Sequence, residues 1–251
     1  MPIAVFGTRV SCISANNLAF ALKCDFYQAN KDPERDFGKY THVFNYGSTE
    51  PIIANKIFNK KENIEIAIDK ISTFKALAKH NFCVEFTDNK EQAEEWLSNG
   101  YALVCRALSQ GCNGKGIVYT RNKDTFINTP AKFWTKYLWH TNEFRVHVWQ
   151  GKVVNIFNKV ETPCTEPEKE GRFEWNFDLF EGAEDNPQLV NMCNKVYETI
   201  GLDWCGIDIL RTEEGRLHIL EVNSAPHLQD VTATKLAKLI RKACRDDNKH
   251  L

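Results

Sequence analysis

Two short apolar stretches near the C-terminus constrain this chain more than any other feature, because they predict a hairpin with acids on one face. The stretches are 206–210 (GIDIL) and 218–223 (HILEVN), and a Glu-Gly turn signal lies between them. If the turn centres on that signal, Asp208 and Glu221 fall directly opposite each other. Asn223 then points to the same face as Glu221, because side chains alternate along a strand.

The facing acids predict a cation. Two carboxylates opposite each other on one sheet surface repel, so removing one of them is expected to relieve that repulsion in the metal-free protein. Asp208, Glu221 and Asn223 together offer three hard oxygen donors, which suit Mg²⁺, an ion that completes its shell with water and nucleotide phosphates. Spacing alone leaves open that one or both acids face solvent beside a Lys or Arg.

Composition narrows the class of protein. The 251 residues are 43% hydrophobic and 26% charged, which is ordinary for a soluble globular protein with room for two or three subdomains. The formal net charge of -1 argues against nucleic acid as a partner. Nine cysteines, an odd number with no Cys-x-x-Cys pair, favour reduced thiols in the cytosol. No signal peptide and no long apolar run is present, so we expect a cytoplasmic protein without a membrane partner.

The order of elements predicts alternating strands and helices. Residues 3–6 form a buried strand followed by a helix, but the glycines of a dinucleotide fingerprint are missing, so we expect no cofactor there. Residues 46–63 are polar and contain Gly and Pro, which predicts a linker. Apolar residues at helical spacing predict one helix over 64–79.

A glycine-rich segment lies between two later strands. It covers 109–116 and contains three glycines within six residues, so its backbone N–H groups can approach phosphates, and Lys115 adds charge. A plain glycine turn fits the same residues.

The hairpin also supports a family resemblance. An Asp on one strand, then Glu-x-Asn, a small residue and Pro on the next (here 221–226), resembles the magnesium-binding end of the ATP-grasp superfamily, most of whose members are carboxylate–amine ligases. The pattern is most similar to the RimK-like, peptide-glutamate-ligase branch. The resemblance covers about Ile64 to Gln229 and includes the position of the glycine-rich segment.

This resemblance implies an α+β fold. Two α+β subdomains would clamp ATP, preceded by a shortened Rossmann-like N-terminal domain. We place that domain at 1–60 and the ATP-grasp domain at 61–251. Within the latter, 61–130 would form the first subdomain, with the glycine-rich loop, and 131–251 the second, with the metal site.

The resemblance also assigns nucleotide contacts. Lys70 and Lys115 would reach the phosphates, and Arg106 stands where many relatives carry a second lysine. Glu143 would accept the ribose hydroxyls. The hinge that holds adenine, mostly through backbone groups, would be Lys136, Tyr137 and Leu138.

The resemblance also implies which residues in the second subdomain take part in the reaction. Lys159, followed by Asn176 after an irregular loop, resembles the pair that contacts the transferred phosphate and the acceptor. With Mg²⁺, the cations Lys159, Lys115 and Arg106 would stabilise the developing charge. Arg145 fits either this site or a structural ion pair with Glu143.

The resulting expectation is an enzyme that uses ATP and Mg²⁺ to join a carboxylate to an amine through an acyl phosphate, releasing ADP and phosphate. A kinase on the same fold and a nucleotide-binding module without chemistry stay open. The shortened N-terminal domain and the acidic loop Glu161 to Trp175 favour a peptide or protein as one substrate, although two small molecules enclosed by that loop or by a dimer fit as well. The sequence also leaves a homo-oligomer open.

Overall fold

Three β-sheets follow one another along the chain. The computed structural model describes residues 2–8, 13–32, 36–109, 116–163, 173–182, 186–247 and 249. Each sheet is flanked by helices. The cleft named below is the region where Lys70, before the second sheet, and Arg106, at the end of one of its strands, approach Glu221 of the third sheet. None of the helices in these ranges is both long and apolar enough to cross a membrane.

The first sheet is parallel, with strand order β2-β1-β3-β4. Its helix packs against the last helix of the chain, so the N-terminal and C-terminal parts share one core, which includes Leu18, Phe44, Trp149 and Leu236. The elements are β1 Ile3–Gly7, α1 Ile13–Leu22, β2 Asp25–Gln28, β3 His42–Tyr46 and β4 Ile57–Phe58.

The second sheet is antiparallel, with strand order β5-β8-β6-β7. Two helices precede it and two more belong to it, packed through a small core around Ala93, Phe126 and Trp134. The elements are α2 Lys61–Ile68, α3 Lys70–Leu77, β5 Phe86–Thr87, α4 Lys90–Ser98, β6 Leu103–Arg106, β7 Ile117–Thr120, α5 Lys123–Asn128 and β8 Phe133–Lys136.

The single helix predicted over 64–79 is wrong, because the chain forms two helices that meet at Asp69. Asp69 has extended backbone angles, φ -98° and ψ 107°, so α2 ends before it. Its carboxylate then accepts a hydrogen bond from the backbone N–H of Ser72 at 2.8 Å and caps α3. The break places Lys70 at the first turn of a new helix.

The third sheet is antiparallel, with strand order β11-β10-β9-β12-β13. One face packs on α6 and α2 through Val146, Ile207, Val222 and Met192. The residues that alternate with these core residues along each strand therefore point to the opposite face of the sheet, toward the cleft. The elements are β9 Asn142–Trp149, β10 Lys152–Pro163, β11 Phe173–Leu179, α6 Pro187–Ile200, β12 Trp204–Arg211, β13 Leu217–Asn223 and α7 Asp230–Asp247.

The cysteines agree with the expectation of reduced thiols as far as the chain is described. Six lie within the described ranges, and none of these six forms a disulfide. Burial raises the pKa of the Cys193 thiol to about 12, so this side chain behaves as a small apolar group.

Candidate active site

The predicted register of the C-terminal hairpin is confirmed. Asp208 on β12 lies directly opposite Glu221 on β13. Val222, between Glu221 and Asn223, is buried in the helix-packed core. Glu221 and Asn223 therefore share the opposite face with Asp208, which is the face of the third sheet toward the cleft.

Two cations hold the Asp208 carboxylate. Arg145, its partner in register on β9, donates from Nε to Oδ1 and from Nη2 to Oδ2, the latter at 2.8 Å. Lys159 Nζ lies 3.1 Å from Oδ2 and also donates to Glu143. Burial alone would raise the pKa of the Asp208 carboxyl, but the charges and hydrogen bonds of Arg145 and Lys159 outweigh burial and lower it. The carboxylate is therefore ionised although it is buried.

These contacts show the ion-pair partner of Arg145. It pairs with Asp208, and Glu143 pairs with Lys159 instead. The Arg145 guanidinium also lies over the Phe177 ring, 5.4 Å from the centroid. Burial alone would lower the pKa of Arg145, but Asp208 raises it, so the guanidinium keeps its charge.

Glu221 is held from the other side of the cleft. Lys70 Nζ, at the start of α3, lies 2.9 Å from Glu221 Oε1, and only 10% of the Lys70 side chain is exposed. The cap at Asp69 thus orients the helix end that carries this lysine toward β13.

Arg106 lies near the same acids. It ends β6, is buried, and stacks its guanidinium over Phe133 at 5.7 Å. Its Nε has no hydrogen-bond partner within the described ranges. Burial lowers the pKa of Arg106, and the nearby charges of Glu221 and Glu143 partly offset this. A buried guanidinium with an unsatisfied donor is suited to an anionic group entering the cleft.

The predicted hinge lies at the end of β8. The Lys136 side chain points away from the cleft, with Nζ 2.5 Å from Glu85 Oε2 and 3.9 Å from the Tyr101 ring centroid. Tyr137 contacts the rings of Tyr119 and Trp139. Leu138 packs against the apolar cluster that spans the two sheets. Of the three, Leu138 is therefore the residue that packs in the apolar cluster between the second and third sheets.

One predicted position lies outside the described residues, and another lies on the opposite face of the third sheet. Lys115 lies outside the described residues, as does the centre of the glycine-rich segment. Asn176 is opposite Val160 in register, whereas Lys159 is opposite Phe177. Asn176 therefore points to the face of the sheet opposite Lys159, so the two residues do not share one face of the sheet.

Gly206 also shapes the site, although it is absent from the residues predicted above. It lies opposite Asn223, and a Cβ atom there would come 2.7 Å from Pro226 Cβ and 2.9 Å from Arg145 Cδ. Only glycine lets Arg145 and the loop after β13 approach this closely. A glycine inside an apolar strand is a signal of such an approach.

The assembled face carries more positive than negative charge. Four cations, Lys70, Arg106, Arg145 and Lys159, lie among the three carboxylates of Glu143, Asp208 and Glu221. Such a surplus in a partly buried cleft favours a polyanion. Within the described residues, no three or more His, Cys, Asp and Glu side chains form a metal cluster of their own.

Comparisons of this sequence with a family model and with known proteins point to the same family. The model of the RimK-like ATP-grasp domain matches residues 67–243. Tetrahydromethanopterin:alpha-L-glutamate ligase of Methanocaldococcus jannaschii is 24% identical over 204 residues, 74% of this chain and 69% of that protein. A probable alpha-L-glutamate ligase of Aeromonas salmonicida is 27% identical over 193 residues, 70% of this chain and 62% of that protein. The chain thus spans about two thirds of the length of these relatives.

Solved structures share the fold. The ATP-grasp ligase PsnB, complexed with a minimal precursor, Mg and ADP, superposes with a TM-score of 0.72 at 12% identity, over 96% of this chain and 97% of that one. D-alanine–D-alanine ligase from Bacillus anthracis superposes with a TM-score of 0.69 at 14% identity, over 100% and 99%. The expected α+β fold is therefore confirmed, and the chain belongs to the RimK-like ATP-grasp domain family.

Proposed function

We propose that this protein is an ATP-dependent carboxylate–amine ligase. The observation that carries the proposal is the cleft face of the third sheet, where Asp208 and Glu221 lie opposite each other and four cations surround them. A polyanion and a hard metal ion together fit this mixture of charges. The names of the relatives, all ligases, support the same reaction class.

Nucleotide binding is assigned to the cations nearest the second sheet. Lys70 and Arg106 are buried and lie beside Glu221, so a triphosphate entering between the sheets would meet both. Leu138 and the apolar cluster next to it would pack against the base, with the hinge backbone supplying hydrogen bonds. The assignment of Glu143 to the ribose stays a prediction, since its carboxylate pairs with Lys159. Lys115 keeps its proposed contact with the phosphates on the strength of the resemblance.

The two acids and the amide of this face fit Mg²⁺. Asp208 and Glu221 offer carboxylates on adjacent strands, and the side-chain amide of Asn223 has a buried nitrogen with no hydrogen-bond partner in the described part of the chain. Since the oxygen and nitrogen of an amide are assigned from their partners, either end can turn toward the acids. When bound, Mg²⁺ would neutralise phosphate charge. In a magnesium–nucleotide site the protein typically supplies only a few of the metal ligands, and two carboxylates and one amide fit that pattern.

The reaction would occur in two steps. A carboxylate oxygen attacks the γ-phosphorus of ATP, the bond to the β-phosphate oxygen breaks, and ADP leaves. An amine then attacks the acyl carbon, the carbon–oxygen bond to phosphate breaks, and the amine loses a proton as the amide forms. Arg145 and Lys159, fixed beside Asp208, lie where they can stabilise the negative charge that builds in both steps.

The first test compares two lysines on one strand. Lys159→Met removes a buried cation from the site, whereas Lys152→Met removes an exposed one from the same strand, β10. With a screen of acids and amines, we expect ADP and phosphate only when both substrates are present. Turnover should fall about 100-fold or more in Lys159→Met and stay unchanged in Lys152→Met.

Three results would count against the proposal. Equal rates in the two variants would remove Lys159 from the chemistry. AMP and pyrophosphate as products would contradict the acyl phosphate. A stable phosphorylated product that forms without an amine and does not react with hydroxylamine would indicate a kinase.

For the substrates, we propose an amino acid as the amine and a peptide carboxylate as the acid. Two relatives are named glutamate ligases, and PsnB was solved with a precursor peptide, which supports both halves. The test is to incubate the enzyme with ATP, labelled glutamate and cell extract and to separate the products by size. Label in polypeptide is expected, and label confined to small molecules would contradict a peptide substrate.

A further inference from the structure

A second cavity lies at the end of the first sheet where its parallel strands begin. Its volume is about 380 Å³, and its walls come from the first residues of β1 and β2, the C-terminal end of α1 and the last turns of α7. The active-site loop is at the other end of these strands, where Tyr46 donates a hydrogen bond to the carbonyl of Pro226. The cavity is therefore separated from the cleft by the length of the sheet.

The charged side chains around the cavity are mostly positive. Lys23, Arg241 and Arg245 line it, against one acid, Asp25. Asp25 accepts a hydrogen bond from the Tyr40 hydroxyl. Among the residues that the structure describes, none of the three cations forms a salt bridge. A local surplus of cations in a chain with a net charge of -1 points to an anionic ligand.

Arg241 is held in place for such a ligand. Its Nη2 donates to the carbonyl of Ala21 at 3.0 Å, at the end of α1, and this bond uses one of the five guanidinium donors. The side chain is half-buried, so less rotational freedom is lost when an anion binds.

The two thiols in the wall add no competing charge. Burial raises the pKa of Cys24 to about 12 and the pKa of Cys244 to about 11, so both stay protonated at neutral pH. A thiol-bound metal is thereby disfavoured, since metals take the thiolate.

We propose that this cavity binds a small organic anion, a carboxylate or a phosphate ester, between Arg241, Arg245 and Lys23. The volume falls within the range of small-molecule pockets, and the planar guanidinium matches both oxyanions with two parallel hydrogen bonds. The site is distinct from the proposed catalytic cleft and does not require the ligase reaction.

Titration calorimetry tests the proposal on the full chain with ADP and Mg²⁺ at saturation, so that the nucleotide site is filled. The probes are the monocarboxylate glycerate and glycerol 3-phosphate, each also titrated into buffer with ADP and Mg²⁺ but no protein, and the arm that gives heat above this blank identifies the oxyanion. We expect binding of at least one probe. Arg241→Gln and Arg245→Gln should each weaken it about tenfold, the effect of losing one charge-assisted hydrogen bond. Lys242→Gln, which removes an exposed charge from the same helix outside the cavity, should change it less than about threefold.

Further controls distinguish binding in the cavity from binding in the cleft and from loss of folding. Arg245→Gln leaves the hydrogen bond from Arg241 to Ala21 in place, so it tests the cavity without disturbing the end of α1. Unchanged ADP affinity in the arginine variants would show that they fold. No binding of either probe, or equal weakening by Lys242→Gln, would overturn the proposal. Binding that is seen only without ADP would assign the probes to the cleft and would also overturn it.

Discussion

Lys70 and Glu221 are 151 residues apart in the chain, yet their side chains form an ion pair of 2.9 Å across the cleft. The lysine belongs to the helix that precedes the second sheet, and the glutamate to an edge strand of the third. The pair therefore links the helix that precedes the second sheet to the third sheet.

This pair reverses an expectation drawn from the sequence. Facing carboxylates suggested that loss of one would relieve repulsion, but each carboxylate already has its own cation. Glu221→Ala would remove the carboxylate that lies 2.9 Å from the largely buried Lys70 ammonium, so we expect it to lower the free energy of unfolding by about 1–3 kcal/mol. Urea unfolding of the metal-free protein measures this. Glu65→Ala, which breaks the exposed pair with Lys61, is the control and should change stability by less than about 0.5 kcal/mol. A Glu221→Ala protein more stable than the parent would restore the repulsion argument.

His147 should make the fold sensitive to acid. Burial and the positive charge of Arg145 lower its pKa to about 3, from an ordinary value of 6.5. Between these values the unfolded chain binds a proton that the native state does not, so stability is present above pH 6.5 and is lost as the pH falls toward 3. The slope from this residue is at most about 1.4 kcal/mol per pH unit.

The measurement for His147 is the free energy of unfolding between pH 4 and 6.5. His147→Gln removes the titrating group. The free energy of unfolding should therefore change less steeply with pH in this variant than in the parent, by up to about 1.4 kcal/mol per pH unit. His140→Gln, which replaces an exposed histidine, is the matched control variant over the same pH range. Parallel curves for the parent and His147→Gln would contradict a neutral, buried imidazole.

Metal binding should depend on nucleotide. Arg145 and Lys159 neutralise Asp208, and Lys70 neutralises Glu221, so a divalent ion alone would add charge to a face that is already positive. A nucleotide supplies the negative charge that engages these cations. We expect Mn²⁺, followed by electron paramagnetic resonance, to bind at least about tenfold more tightly with ADP than without it. Equal affinity in both conditions would mean that the acids are free to bind metal directly.

The C-terminal hairpin could be predicted from the sequence because its information is local. The period of two in the strands and the position of the turn place Asp208 opposite Glu221, and the structure agrees. The partners of these acids could not be predicted in the same way. Arg145, Lys159 and Lys70 come from other strands and a helix, and their approach depends on the packing of whole sheets.

Two other misses have local physical causes. The sequence does not predict the break at Asp69, because the helical spacing of apolar residues continues across it. A single capping hydrogen bond determines where α3 begins. The face of Asn176 depends on how β11 pairs with β10 after a long connection, which no spacing rule specifies. Gly206, by contrast, could have been predicted, since a glycine inside a buried strand indicates that another group approaches the backbone closely.

The most direct test of the proposed ligase chemistry follows an oxygen atom. The carboxylate substrate found in the screen is labelled with ¹⁸O, the enzyme is given ATP and the amine, and the released phosphate is analysed by mass spectrometry. If an acyl phosphate forms, one carboxylate oxygen leaves with the phosphate when the amine attacks, so each phosphate formed with product should carry one ¹⁸O. Phosphate that carries no ¹⁸O while the amide accumulates would contradict the acyl-phosphate mechanism.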